Sequence, residues 1–291
     1  MKILSLFDGV SCARVALERA GIPVEAYYAS EIDKYAIEVS KKNYPDITHI
    51  GSVVDVKGED YKDIELLVGG SPCQDLSIAG KRKGLAGERS GLFYEYLRIL
   101  KEVKPKYFIL ENVASMSKEA KETITKELFG IEPVMINASL VSAQNRKRLF
   151  WVGKLNEFGT YQKVEISQPE DRGILLKDIL EENVSKEYSL EEKSNINYLC
   201  CGDFRYDEGF RWRKNGKCPT ISTKGGGGKS GSILITDGGN IRRATPVECE
   251  RLQGLPDGFT SGISNSQRYK TLGNAFNVDV VAHILGFIPK Q

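Results

Sequence analysis

Histidine is nearly absent from this 291-residue chain, with two copies, and its six cysteines include no C-x-x-C pair. Metal-site spacings of the zinc type depend on such pairs, so no metal centre is expected, and Cys200, Cys201, Cys218 and Cys249 read as packed or exposed thiols. The cysteines also lack the pattern of a small secreted disulfide scaffold, which points to reduced thiols in a cytoplasmic protein. No apolar run approaches the roughly 20 residues that cross a bilayer, and the N-terminal run of MKILSLFDGV is interrupted at Asp8 before a signal-peptide core could form. Forty-one basic residues against 39 acidic ones leave a net charge of +2, so overall charge is silent about a polyanionic partner. A G-x-G-x-x-G fingerprint is missing too, which disfavours a dinucleotide pyrophosphate.

What is present is an alternation of short apolar runs and amphipathic stretches up to about Gly153. ILSLF, EAYYAS, IELLVGG, YFILENV, PVMINAS and RLFWVG read as strands. CARVALERAG, KYAIEVSKKNYP and SGLFYEYLRILKEVKP read as helices, stopped by Gly21, Pro45 and Pro105, with Ser90 as a cap for the third. The series predicts an α/β fold, a doubly wound, mostly parallel sheet with its ligand site outside the carboxyl ends of the strands. After Lys154, short weakly periodic segments and the tract KGGGGKSGS predict a second, smaller mixed or β domain. Helical patterning returns in ATPVECERLQG, with Pro246 at a first helical position after Thr245, and in NVDVVAHILGFI. The expected division is a first domain of residues 1–153 plus 266–291 and a second of residues 154–265.

Four constellations carry chemistry. LFDGVS places one glycine in the turn after the first strand, and Glu31, 22 positions after Gly9, ends the second strand, where an acid can accept from ribose hydroxyls. A tight turn accounts for the first feature equally well, and a small adenosyl ligand is the better fit if there is one. GGSPCQDLS follows an apolar strand and puts Cys73 in a turn after Pro72, ahead of a polar, basic, glycine-punctuated loop that makes poor core material. A nucleophilic thiolate there competes with the usual role of cysteine as a small buried hydrophobe. Glu111 ends a third apolar strand, with Asn112 beside it, in a position suited either to acid chemistry or to a helix cap. Arg146 and Arg148, two apart before the last strand, are expected on one face, where guanidinium groups suit a carboxylate, a phosphate or a base carbonyl.

FDG, SPCQ, ENV, QNRKR, RRATPVECERLQGLPDGF and GNAFNV occur in the order of the blocks of the DNA cytosine carbon-5 methyltransferases, which this chain closely resembles over residues 1–153 and 241–288. SPCQDLSIAGKRKGL and EPVMINASLVSA are similar to the catalytic domains of the eukaryotic de novo enzymes, at the length of bacterial and phage ones. The resemblance implies a Rossmann-like, S-adenosyl-L-methionine-dependent enzyme with a target-recognition domain. Cys73, carried by Pro72, would add to carbon 6 of a flipped-out cytosine. Glu111 would bond ring nitrogen 3, Asn112 would hold the Pro72–Cys73 turn, and Arg148, with Arg146 nearby, would orient Glu111 and the base. The cofactor would meet Phe7, Asp8 and Gly9, Glu31 on the ribose, Ile32 against adenine, Ser52, Val53 and Leu92 around the adenine pocket, and Asn274 and Ala275 from the C-terminal segment. Ser11 and Ser52 depart from the family pattern, standing where many members have Gly and Asp.

Between Arg205 and Lys229 seven basic residues face two acidic ones, a local +5 interleaved with Phe210 and Trp212. The resemblance makes this the recognition surface for double-stranded DNA, with Arg211, Arg213, Thr220, Ser222 and Lys224 as contacts, joined by Gln74, Ser77 and Arg82 of the loop after Cys73. A flexible basic linker is the alternative for the same residues. The expected protein is a cytoplasmic monomer without a membrane partner, with a cognate restriction nuclease as a candidate partner. A transfer-RNA cytosine methyltransferase and a non-catalytic DNA-binding relative are the competing functions.

Overall fold

The computed structural model describes residues 1–71, 91–225 and 228–289. Two compact units emerge, one of residues 1–136, 147–168 and 281–291, the other of residues 137–146 and 169–280. Residues 137–146 and 266–280, expected with the first domain, cluster with the second unit, and residues 154–168, expected with the second, cluster with the first, where the strand Tyr161–Lys163 extends its sheet.

The first unit is built on β1 (Lys2–Leu6), β2 (Ala26–Ser30), β3 (Thr48–Gly51), β4 (Leu66–Gly70), β5 (Tyr107–Val113), β6 (Val134–Asn137), β7 (Lys147–Leu155) and β8 (Tyr161–Lys163). The sheet runs β3-β2-β1-β4-β5-β7-β6, with β8 on β7. Pairing is parallel from β3 through β5 and turns antiparallel at β5–β7 and β7–β8. The helices α1 (Cys12–Arg19), α2 (Lys34–Asn43), α3 (Leu92–Val103) and α4 (Lys118–Glu127) lie between these strands in sequence. The central strands are apolar on both sides because helices cover both faces. Phe93, Tyr96, Ile99 and Leu100 of α3 pack with Leu67, Phe108 and Trp151 in one buried cluster. Its two polar tips are satisfied, Tyr96 donating to the Ile109 carbonyl at 3.1 Å and Trp151 Nε1 to Thr125 Oγ1 at 3.0 Å.

Three elements of the chain are not evident in its apolar pattern. Strand β3 is an edge strand with no buried residue, and α4, KEAKETITKE, buries only Ala120, Ile124 and Thr125. The third is α6 (Asn265–Asn274), which buries Tyr269, Thr271 and Leu272. Where sequence alone extends the first strand to Phe7, the strand ends at Leu6 and Phe7 turns to φ 57°. Helix α3 begins at Leu92 after Gly91, and Ser90 lies outside the described residues.

The second unit holds an antiparallel sheet of β9 (Ser189–Lys193), β10 (Cys200–Arg205), β11 (Gly209–Arg213), β12 (Leu234–Asp237) and β13 (Asn240–Arg243), in the order β11-β10-β12-β13-β9. Helices α5 (Pro246–Gln253) and α6 follow, and α7 (Val278–Leu285) closes the fold. The start of α5 matches its sequence signature: Thr245 Oγ1 accepts from the Glu248 amide at 3.1 Å and Glu248 returns a bond to the Thr245 amide at 2.9 Å. Glu248 is fully buried, and its charge is met by both terminal nitrogens of Arg242 at 2.7 Å.

Candidate active site

Three residues of the turn after β1 are left-handed: Phe7, Gly9 and Ser11, with φ near 60°. For Phe and Ser that conformation is strained, and such strain concentrates where a fold positions backbone for a ligand. The Gly9 amide donates to Glu31 Oε2 at 2.8 Å, and the Ile32 and Asp33 amides donate to Oε1 at 2.7 and 2.8 Å. Three backbone donors therefore fix the Glu31 carboxylate at the end of β2 and leave acceptor capacity for one further hydroxyl. Beside it Ile32 is 76% exposed, and Val54, after the end of neighbouring β3, is 58% exposed. Bare apolar side chains next to an immobilised carboxylate suit a nucleoside, whose base is flat and apolar and whose ribose donates hydrogen bonds.

The other expected residues of this edge divide. Leu92 is half-buried at the start of α3, and Ser52 is half-buried, its hydroxyl accepting from the Val54 amide at 3.4 Å. Val53 turns its side chain into the core and gives its carbonyl to Arg98 at 3.2 Å, so it offers no side chain to a ligand. Asp8 is 5% exposed and faces inward, accepting from Tyr27 at 2.6 Å and from the Ser11 hydroxyl, so it lies under the turn rather than on its surface. Burial raises its pKa to about 6, against the opposing effect of its hydroxyl donors Ser11 and Tyr27 and of Ser5; the Glu31 charge adds to the rise.

At the far side of β4 the register brings the second constellation together. Gly70 pairs with Glu111, and across the antiparallel ladder Val113 pairs with Arg148. Glu111 and Arg148 are thus diagonal neighbours on one face. Their side chains meet at 2.7 Å, Arg148 Nε to Glu111 Oε1, with 16% and 13% exposure. Asn112, on the opposite face, is buried; its Nδ2 donates to the Ser71 hydroxyl at 3.0 Å and its Oδ1 accepts from the Val113 amide at 2.8 Å. It therefore anchors the chain at Ser71, one residue ahead of Pro72 in sequence. Pro72, Cys73, Gln74, Ser77 and Arg82 lie outside the described residues.

Arg146 does not share a face with Arg148. It precedes β7, is 3% exposed, and its Nη2 donates to the carbonyls of Gly273 at 3.1 Å and Ala275 at 2.7 Å. Within the second unit it thus caps the carbonyl end of α6, where a cation is favoured. Asn274 is exposed at that helix end, while Ala275 is buried with its carbonyl engaged.

The basic segment of the second unit is more nearly neutral than its window suggests. Arg211 pairs with Asp203 at 2.6 Å and Glu208 at 3.1 Å, and Arg213 pairs with Asp203 at 3.0 Å. Lys229 pairs with Glu192, and Lys217 Nζ holds the carbonyls of Ser139, Ser142 and Ile174. Asp203 and Glu192 sit just outside the stretch whose charge was counted. Opposite the arginine face of the β10–β11 pair, Phe210 and Trp212 stack at 5.8 Å and 8°. Thr220 is exposed and donates to the Asn145 carbonyl. Ser222 shapes its own loop, donating to Gly231 at 2.9 Å and accepting from the Lys224 amide at 3.1 Å, and Lys224 itself is exposed.

The C-5 cytosine-specific DNA methylase model matches residues 1–290. The chain belongs to the C-5 cytosine-specific DNA methylase family. It is 31% identical to the type II methyltransferase M.NlaX of Neisseria lactamica, over 97% of this chain and 94% of that protein. To the type II methyltransferase M.HhaI of Haemophilus parahaemolyticus it is 29% identical, over 98% and 93%. The crystal structure of a DNMT2 mutant from Spodoptera frugiperda matches with a TM-score of 0.75 at 21% identity over 98% of both chains, which establishes the shared fold. The methylase is therefore an S-adenosyl-L-methionine-dependent enzyme of DNA cytosine. Among its described residues no helix is long and apolar enough to cross a membrane, and no cluster of ligands could hold a metal ion. Two contributors escaped sequence reasoning: exposed Val54, and the partners of Asp8. Of these partners Tyr27 carries no motif, and only its burial marks it, while Ser11 stood in the turn motif itself.

Proposed function

We propose that the methylase acts on a cytosine flipped out of duplex DNA, with Cys73 as nucleophile and Glu111 and Arg148 as the groups that engage the base. The observation that carries this is the Glu111–Arg148 contact, held by strand register next to β4, from whose end the chain leaves toward Cys73. A cytosine ring is a poor nucleophile at carbon 5. The Cys73 thiolate adds to carbon 6, and the displaced electron pair is taken up through nitrogen 3, where Glu111 supplies a proton. Arg148 keeps the Glu111 carboxyl in one orientation and presents its remaining N–H groups to the base carbonyl oxygen. Carbon 5 of the resulting enamine takes the methyl group, its proton leaves to solvent, and elimination of the Cys73 thiolate, with return of the nitrogen 3 proton to Glu111, restores the aromatic ring. Asn112 fixes Ser71, the residue two before Cys73 in sequence.

S-adenosyl-L-methionine supplies an electrophilic methyl on a sulfonium. Glu31 would hold its ribose, Ile32 and Val54 its adenine, and the Phe7–Gly9 turn the remainder, with Leu92 and Ser52 at the periphery. None of the reacting atoms of cytosine is reachable in a stacked duplex, so the base must leave the helix. Residues 169–265, within the second unit, serve as the recognition domain. Exposed Lys224 and Thr220 are its phosphate contacts, and Arg211 and Arg213 contribute through the hairpin they brace.

The test is incubation of wild type and Cys73→Ala with methyl-labelled S-adenosyl-L-methionine and mixed-sequence duplex DNA, followed by base-resolution cytosine sequencing. Label on carbon 5 within one short motif, lost in Cys73→Ala, is expected. Label on structured RNA alone would make the substrate RNA, and undiminished transfer by Cys73→Ala would overturn the mechanism.

A further inference from the structure

The carboxyl group of Asp8 ends a buried hydrogen-bond chain that no step of methyl transfer uses. Tyr27 of β2 donates to Asp8 Oδ1 at 2.6 Å, and Ser11 donates to Oδ2. Ser11 and Ser40 of α2 are 2.6 Å apart, and Ser40 lies 3.3 Å from His49 Nε2 at the edge strand β3. Counting protons fixes every direction. Ser11 spends its one hydrogen on Asp8 and must accept from Ser40, and Ser40 in turn must accept from His49, whose proton therefore sits on Nε2. His49 Nδ1 is buried without a hydrogen-bond partner, as the lone-pair nitrogen of that tautomer would be. Every donor in the chain points toward an ionised Asp8.

Asp8 also sits between Phe7 and Gly9, inside the strained turn, with Glu31 as the nearest other acid that acts on it. Two carboxylates thus lie at the end of β1 and β2, one facing the ligand edge and one beneath it. Shielded from water, the lower charge acts over a longer range than a surface carboxylate would.

We infer that Asp8 is a positioning residue whose buried negative charge makes the cofactor turn prefer the cationic methyl donor over its uncharged thioether product, S-adenosylhomocysteine, and that protonating Asp8 removes this preference. The inference rests on the cofactor reading above. Donor and product share adenosine, ribose and amino-acid groups and differ by the methyl and its charge, so the ratio of their affinities isolates the electrostatic effect. As Asp8 is ionised above about pH 6 and neutral below it, the preference is present at pH 7.5 and lost as pH falls through 6. The charged and titratable groups around the chain are Tyr27 on β2, Glu31 directly after β2, Cys12 on α1, and His49, which faces Lys41 of α2.

Calorimetric titration of wild type, Asp8→Asn and His49→Gln with each ligand at pH 7.5 and pH 5 tests the inference. Wild type should favour the donor on the order of tenfold more at pH 7.5 than at pH 5. Asp8→Asn should show the weak, pH-independent ratio at both values, and His49→Gln should keep the wild-type response. A wild-type ratio that does not change with pH, a measurement that needs no variant, would overturn it. So would an unaltered ratio in Asp8→Asn, or loss of the response in His49→Gln, which would name His49 as the titrating group. Failure to bind either ligand would instead overturn the cofactor reading itself.

Discussion

Asp8→Asn should stabilise the methylase at neutral pH and lose that advantage in acid. The Asp8 carboxyl moves from an ordinary 3.8 to about 6 on folding, chiefly through burial. At about 1.4 kcal/mol per unit, holding the charge in the folded protein costs about 3 kcal/mol above pH 6. Asparagine removes that cost but turns one acceptor oxygen into a donor facing Ser11 or Tyr27, a loss of about 1 kcal/mol after the hydroxyls rotate. A net gain of about 2 kcal/mol at pH 7.5 follows. The sign reverses in acid: between pH 6 and 3.8 the folded form binds the proton more readily, so wild type recovers most of its deficit and is the more stable by about 0.5 kcal/mol near pH 4, approaching about 1 kcal/mol at lower pH. Urea denaturation read through Trp151, in a Trp212→Phe background so that only the first unit reports, measures the difference. Other carboxylates titrate alike in both proteins and cancel. A constant difference between pH 7.5 and pH 4, or a less stable Asp8→Asn at neutral pH, would refute the electrostatic account.

Glu111→Gln keeps a hydrogen bond for Arg148 but no longer supplies a proton, so turnover should fall about 10²- to 10³-fold with cofactor affinity unchanged, as single-turnover kinetics and calorimetry would show. Lys224→Ala should weaken DNA binding and lower the salt slope by about one, while Arg211→Ala, whose guanidinium is already paired with Asp203 and Glu208, should chiefly lower melting temperature. An equal salt-slope change in both would show that Arg211 also reaches phosphate. Gly273→Ala would place a Cβ 2.6 Å from the backbone of Ser222 and Thr223, so the loop carrying Lys224 must shift. The expected result is weaker DNA binding with intact cofactor binding, and full DNA affinity would refute the packing.

The parts of the fold legible in the chain are those whose neighbours are close in sequence. The apolar runs of β1, β4 and β5 and the Thr245–Pro246 helix start announce themselves, whereas α4 and α6 bury too few residues to leave a period. Glu111 was legible as a site candidate because it ends an apolar strand at the carboxyl edge of a parallel sheet, whereas Arg148, at the amino end of antiparallel β7, stood out only through QNRKR. Arg146 was not, because its partners at Gly273 and Ala275 lie 127 and 129 residues away. The basic stretch misled for the same reason in miniature: Asp203 neutralises it across a β-ladder that a linear window does not see. Asp8 was visible as a turn acid, but its inward orientation depends on Tyr27 and Ser11 closing over it.

The ladder between β5 and β7 also constrains how this enzyme can drift. Point substitutions on the covered faces can be absorbed by repacking, but a single-codon deletion between Leu149 and Lys154 cannot. With Tyr107 still opposite Lys154, Lys147 would come opposite Val113, and Arg148 would turn to the other face beside Asn112. Loss of one codon there would separate the acid from its guanidinium while leaving every strand in place. The Asn156–Thr160 turn beyond β7 has no such reading frame, and length changes in descendants of this chain should collect there.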